Sequence, residues 1–411
     1  MEVIQPIWEA ILFAVAVILC FYLPGKLLSI LLKLKLNFLE DLFFSTTIGM
    51  MVFTLIAYVL SWLQAEWLIV VTLACVGVFT LRRNNWLPSD FDRKDLKPFF
   101  LVSMLGGIFS LTAITSGEFG DSIRLLGPNG HDGLWYLALI NELKANFPPE
   151  YPGFAGVAFK GYHFFYFFLI AKISNIFHLS PMALLFHFFA VLTSFLWGIG
   201  VYTLMFRWSK QRITALWAVF LTFFGGSFAF ILPLQGHMGL SLDSAFGMNQ
   251  GAPSLLNPPY AISIVIILAV LFALHQYFAE KKRSWLIPIV LCMGLVSMFK
   301  VYAGMILIGS FVLITFFDVM KRKFTLVWAL AGIGVLFLAT YWFFTDRSSR
   351  LFFYPLWAPH KVLEANLPWY GYTEKQYTYS RLSVIRGLVE IEVYALYIFL
   401  IGNMGTRLFG L

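Results

Sequence analysis

Asp132, with His131 before it and an apolar stretch after it, is the residue of this sequence best placed to do chemistry. A carboxylate there could take a proton from a hydroxyl, or help to hold a divalent cation. It could equally be a helix N-cap that accepts free backbone N–H groups of the first turn. Asp121, closing Gly117-Glu118-Phe119-Gly120-Asp121, is second choice for the same work, set against a plain turn role. The remaining candidates would hold an anion. Tyr162 and His163 open an aromatic stretch, and His163 could bind a phosphate or hydroxyl or serve as a structural histidine. Lys300 falls between two apolar runs, as a phosphate contact or a lysine snorkelling at a helix end. Arg347 and Arg350, with Arg381 and Arg386 further on, read as a phosphate clamp or as headgroup-facing loop residues. A base on one side and cations near a leaving phosphate are what a group transfer from a phosphate carrier requires. The histidines are scattered along the chain, so their spacing indicates no zinc.

The local pattern says how Asp132 is held. Gly127-Pro128-Asn129-Gly130-His131-Asp132-Gly133 is a turn-rich loop. Apolar residues then recur at 136, 139, 140, 143 and 147, with Asn141, Glu142, Lys144 and Asn146 on the polar edge. This spacing predicts an amphipathic helix suited to a membrane surface, stopped by Pro148-Pro149. Lys160-Gly161-Tyr162-His163 then leads into an aromatic helix over Phe164–Phe168.

The solvent of the rest is the bilayer. Of 411 residues 60% are hydrophobic and 12% charged, where soluble domains have about 45–50% and about 25%. That excludes a water-soluble enzyme, a disordered chain and a disulfide scaffold. Cys20, Cys75 and Cys292 each lie in apolar runs and read as small core hydrophobes. No basic n-region precedes the first apolar run, so it reads as a membrane helix rather than a cleaved leader. Runs long enough to span cover 7–32, 41–62, 66–81, 99–116, 182–206, 213–232, 260–279, 285–299, 302–319, 325–344 and 388–410, each set against the roughly 20 residues a span needs. The run 162–178 is ambiguous, being short and interrupted by Lys172.

Charge resolves that ambiguity. Lys33 and Lys35, the basic residues of 82–97, Arg207 to Arg212, Lys281 to Arg283 and Lys321 to Lys323 fall in short links. Short basic links belong on the cytoplasmic side, and all of these reach one side only if 162–178 does not cross. The +8 net charge is therefore a topology signal, and nucleic acid is not an expected partner. The expected protein is all-α and polytopic, with about eleven spans plus outer-face amphipathic or interfacial helices. Its N-terminus lies outside and its C-terminus inside, and the expected location is the plasma (cytoplasmic) membrane. Segment 1–98 supplies three helices and a cytoplasmic loop, 99–344 a core with outer loops 117–181 and 233–259, and 345–411 an outer loop with the last span. The helix at 162–178 is expected at the outer interface or beside the bundle. Part of the 18% aromatic share gathers on the outer side, at Trp135-Tyr136, Tyr162 to Phe168 and Phe352-Phe353-Tyr354, where rings could stack on a sugar or a prenyl chain.

An outer-loop acid, an amphipathic helix, a proline-bearing strip, a Tyr-His aromatic helix and a span ending in basic residues together resemble the glycosyltransferase C (GT-C) superfamily. His131-Asp132-Gly133-Leu134-Trp135-Tyr136-Leu137-Ala138 is similar to the family's acidic motif, and Val201-Tyr202-Thr203-Leu204 leading to Arg207 to its span returning to the cytoplasm. The likeness is best over 117–232. Residues 1–98 look like extra helices, and the adjacent acidic pair of many members is missing. The resemblance implies a polytopic enzyme that moves a sugar from a polyprenyl-phosphate donor to a hydroxyl acceptor, lipid, glycan or protein. Asp132 would be the base, Asp121 the second choice, and His131, Tyr162, His163, Lys300, Arg347 and Arg350 the donor contacts. A divalent cation, Mg2+ or Mn2+, is a conceivable cofactor. The contrasting expectation is a transporter or lipid flippase, for which the main helix break is Gly225-Gly226.

Overall fold

A computed structural model describes residues 4–83, 93–119, 122–231, 251–346, 352, 354–366 and 371–410. Asp121, Arg347, Arg350 and most of the 233–259 loop lie outside the described residues. The protein is all-α apart from two short antiparallel hairpins, β1 (Gly117–Phe119) with β2 (Ser122–Arg124) and β3 (Glu150–Tyr151) with β4 (Phe154–Ala158).

Six helices among the described residues are long and apolar enough to cross a membrane. They are α1 (Ile7–Leu31), α2 (Phe38–Trp62), α7 (Pro181–Ser209), α9 (Pro258–Glu280), α11 (Val301–Met320) and α12 (Thr325–Phe344). Shorter apolar helices are α3 (Trp67–Arg82), α6 (Phe165–Phe177), α8 (Arg212–Phe224) and α10 (Arg283–Phe299). Further helices are α4 (Arg93–Ser110), α5 (Asp132–Ala145), α13 (Tyr372–Arg381) and α14 (Ile385–Met404), beside short turns of helix such as Gly251–Ser254 and Trp357–Lys361. The chain is thus a polytopic membrane protein.

Helices α1 and α2 cross without side chains between them. A Cβ on Gly25 would lie 1.8 Å from the Ser45 carbonyl oxygen, and one on Gly49 would lie 1.6 Å from that of Phe21. Only glycine permits that approach, and Ser45 and Gly49 are one turn apart on α2, the small-residue spacing that brings membrane helices together. Below the crossing Lys26 meets Asp41 at 2.7 Å, both buried, while Tyr22 and Ser45 donate to the same carboxylate at 2.9 and 2.7 Å. Asn37 and Glu40 form a capping box at the start of α2. The buried Glu40 carboxylate also receives both arms of Arg207, at the end of α7.

These pairs gather the basic links at one end. Arg212, opening α8, bonds Asp95 of α4 at 3.3 Å. Glu280, at the end of α9, feels Arg207 and bonds Lys282 at 2.9 Å. Helices α10 and α12 start side by side, bringing Arg283 and the 321–323 link to the same end.

Helix α6 differs from its expected place. It has 13 residues, a length of about 20 Å, too short for the roughly 30 Å hydrocarbon core. It is packed into the bundle rather than laid on its outside, because Phe165 to Ser174 are all buried, between α1, α2, α5, α9 and α10. Lys172 is accommodated there by an ion pair with Glu66 before α3, with its ammonium 4.9 Å from the Phe168 ring centroid. Phe164 to Phe168 are therefore core, and cannot meet a ligand as the outer-surface reading expected. A second expectation fails at Cys75, which is exposed on α3 while Cys20 and Cys292 are buried.

Candidate functional site

The loop that presents Asp132 is fixed from below. Buried Asn129 donates to Ser116 Oγ at 2.9 Å, and the Leu126 N–H donates to the same oxygen at 3.0 Å. The Ser116 carbonyl lies 3.0 Å from His187 Nε2 on α7. Gly117 has φ of 132°, and a Cβ there would fall 2.5 Å from the same His187 nitrogen, so the turn at the start of β1 requires glycine.

Asp132 is the first residue of α5, and His131 occupies the N-cap position without a side-chain cap bond. The N-cap reading of Asp132 is therefore corrected. Its Oδ1 faces His131 Nδ1 at 2.9 Å, the histidine is almost fully exposed, and the carboxylate is 48% exposed. Helix α5 forms as its spacing predicts, but its stripe of Tyr136, Leu139, Ile140 and Leu143 is buried against α6 rather than turned to a membrane surface. Tyr136 stacks on Phe167 at 4.7 Å between ring centroids. The opposite edge of α5 carries Trp135, packed with Tyr151, Phe159 and Tyr162 at 5.1, 6.5 and 6.4 Å.

Lys300 comes to the same place from far along the chain. It is the single extended residue (φ −158°, ψ 117°) between α10 and α11. The elbow is tight, since a Cβ on Gly304 would lie 2.0 Å from Ser297 Oγ. Lys300 is buried rather than snorkelling, and its ammonium donates to Asn257 Oδ1 at 3.2 Å and lies 5.2 Å from the Tyr302 ring centroid. Burial lowers its pKa, and the Asp132 charge opposes that. Burial first and the Asp132 charge second push Tyr162 up to about 12.

His163 completes the group. Its ring stacks on Tyr162 at 4.4 Å, and its Nε2 is buried without a hydrogen-bond partner. Burial, and then the Lys300 charge, push its pKa down to about 3, so the ring is neutral at physiological pH. An unpartnered buried ring nitrogen is an uncompensated group of the kind that marks a ligand position.

Asp132, His131, Tyr162, His163 and Lys300 thus share one electrostatic neighbourhood, drawn from three separate segments. It lies at the end of the bundle opposite the basic links, because Lys300 closes the helix that Arg283 opens. Asp121, Arg347 and Arg350 cannot be placed against it, lying outside the described residues. Sequence reading missed Asn257 and Tyr302 as members. The signal for Asn257 was its position before Pro258-Pro259 at a span's start. Nothing local marks Tyr302.

Among the described residues no three His, Cys, Asp or Glu side chains converge as a metal site would require. At Gly225-Gly226 the helix does break, but Thr406 takes up the backbone there. Its N–H donates to the Gly226 carbonyl at 3.0 Å, and its hydroxyl receives the Gly226 N–H at 3.0 Å. No protein-family model matches the chain, and neither does any curated protein or solved structure.

Proposed function

We propose that the chain is a membrane glycosyltransferase of the GT-C type, transferring a sugar from a polyprenyl-phosphate carrier to a hydroxyl acceptor on the outer face. The observation that carries this is that the half-exposed Asp132 carboxylate lies within electrostatic reach of buried Lys300, whose charge in turn reaches His163 with its unpartnered Nε2. They stand at the membrane end that lacks the basic links. With those links taken as cytoplasmic, this end faces outward, and eleven spans, an outer N-terminus and a place in the plasma membrane are part of the proposal.

The chemistry is an inverting displacement. Asp132 accepts the proton of the acceptor hydroxyl, whose oxygen forms a bond to the anomeric carbon. The anomeric C–O bond to phosphate breaks on the opposite side, and the electron pair leaves with the polyprenyl phosphate. Lys300 balances that charge, held by Asn257, while neutral His163 and the Tyr162 hydroxyl hydrogen-bond the donor. Arg347 and Arg350 are the further cations proposed for the phosphate, and Asp121 the reserve acid. Trp135 and Tyr151 offer ring faces to the sugar. A divalent cation is not required by this scheme. Asp132 and His131 could supply two ligands of a Mg2+ or Mn2+ ion whose remaining ligands would be donor phosphate and water, and no step above is routed through one.

The test is a transfer assay on purified protein with a panel of polyprenyl-phosphate and polyprenyl-diphosphate sugars, wild type beside Asp132→Asn. Transfer that Asp132→Asn abolishes supports the proposal. Movement of solute or lipid across liposomes, without transfer from any donor, would replace it with the transporter reading.

A further inference from the structure

Away from this site, a groove of about 550 Å³ opens between the first turns of α10 and α12, at the end that carries the basic links. Its sides are Ile287, Phe324 and Trp328, all exposed, and its floor includes the buried Ala329. It closes along the helices where Val290 meets Gly332, whose Cβ would lie 3.1 Å from a Val290 methyl. Arg283 stands at its mouth. The adjoining segments 280–283 and 318–323 carry six cationic side chains against two carboxylates. One of those carboxylates, Glu280, is bonded to Lys282 and to the Trp285 indole N–H. Lys281, Arg283, Lys321, Arg322 and Lys323 are exposed, and no ion-pair partner is found for them among the described residues.

An apolar groove opening at a cluster of cations without ion-pair partners among the described residues matches one kind of occupant. We infer that this groove is a binding site for an anionic glycerophospholipid of the leaflet that meets the basic links. One acyl chain lies in the slot against Trp328 and Ile287, and the phosphate meets Arg283 together with the 321–323 link. The charge explains the selectivity, because a zwitterionic lipid fills the slot equally well but leaves the cations uncompensated. Trp328 stands where a membrane-interface aromatic belongs. The inference is independent of glycosyl transfer, since the groove and the Asp132 neighbourhood occupy opposite ends of the bundle.

The experiment uses the full chain in phosphatidylcholine nanodiscs doped with phosphatidylglycerol, counting retained lipids by native mass spectrometry. Wild type is expected to enrich phosphatidylglycerol, and Arg283→Gln combined with Arg322→Gln to lower that enrichment, by about five-fold per charge removed. A double variant that keeps the wild-type enrichment overturns the inference. A second measurement needs no variant. The wild-type thermal midpoint should rise when phosphatidylglycerol is added and fall back as salt is raised, and a midpoint that ignores phosphatidylglycerol also overturns it.

Discussion

Replacing His163 by Gln should make the protein less sensitive to acid. The imidazole titrates at about 3 in the folded chain because it is buried and faces Lys300, and at about 6.5 once unfolded. The folded pKa is depressed, so above about pH 6.5 the ring is neutral in both states and contributes no pH dependence. Below that, the unfolded chain binds a proton that the folded chain refuses, and stability falls by about 1.4 kcal/mol per pH unit until about pH 3. Between pH 7 and pH 5 wild type should therefore lose about 2 kcal/mol through this one group. Unfolding free energies measured by denaturant titration in mixed micelles at pH 7, 6 and 5 give the comparison. The absolute offset of His163→Gln does not matter, because only the change in the difference with pH reports the ring. Wild type should fall about 2 kcal/mol further than the variant over that interval. Parallel curves would refute a neutral, buried His163 and with it a hydrogen-bonding role for Nε2. The same neutrality means that a pH–rate profile for transfer should show no limb from His163 between pH 5 and 8.

Asp132→Asn should lower transfer by about 10²- to 10⁴-fold, the range for a lost general base, with an unchanged thermal midpoint because the carboxylate caps nothing. Gly49→Leu should destabilise the fold by about 3 kcal/mol or more, read by denaturant titration, since its Cβ would meet the Phe21 carbonyl at 1.6 Å. Glu40→Ala should cost about 3–5 kcal/mol by leaving Arg207 without the carboxylate that receives both its arms. Glu40→Gln should recover part of that loss.

Hydropathy identified the spans but could not say which rings face protein and which face lipid. Phe165, Phe167 and Phe168 are buried, while Phe316 and Phe317 on α11 are exposed, and all are phenylalanines in apolar runs. What separates them is partner geometry. The short helix α6 is surrounded because Glu66, 106 positions away, supplies the counter-charge that lets Lys172 enter the core. In sequence that lysine was only an interruption. The α5 stripe was legible because a single face and a single period determine it. Lys300 was legible as a cation between two apolar runs but not as an elbow, since the turn depends on Gly304 pressing against Ser297 across it.

The two ends of the bundle treat their charged groups differently, and that difference separates scaffold from candidate site. At the basic end the buried and half-buried charges are satisfied by one another. Asp41 receives Lys26, Tyr22 and Ser45, Glu40 receives Arg207, and Asp95 receives Arg212. Such a set holds helix ends together and has little bonding capacity left for a ligand. At the other end the balance is incomplete. Lys300 has a neutral amide as its hydrogen-bond partner, His163 keeps a buried nitrogen without one, and Asp132 turns one oxygen to an exposed histidine. A buried polar group without a partner costs about 1–3 kcal/mol. Tyr202, Gln276 and Thr315 also keep such atoms. What sets His163 apart is that its nitrogen lies beside a buried cation and near a half-exposed carboxylate, where a ligand can supply the missing partner. A sugar phosphate, with an anion for Lys300 and hydroxyls for His163 and Asp132, supplies all three.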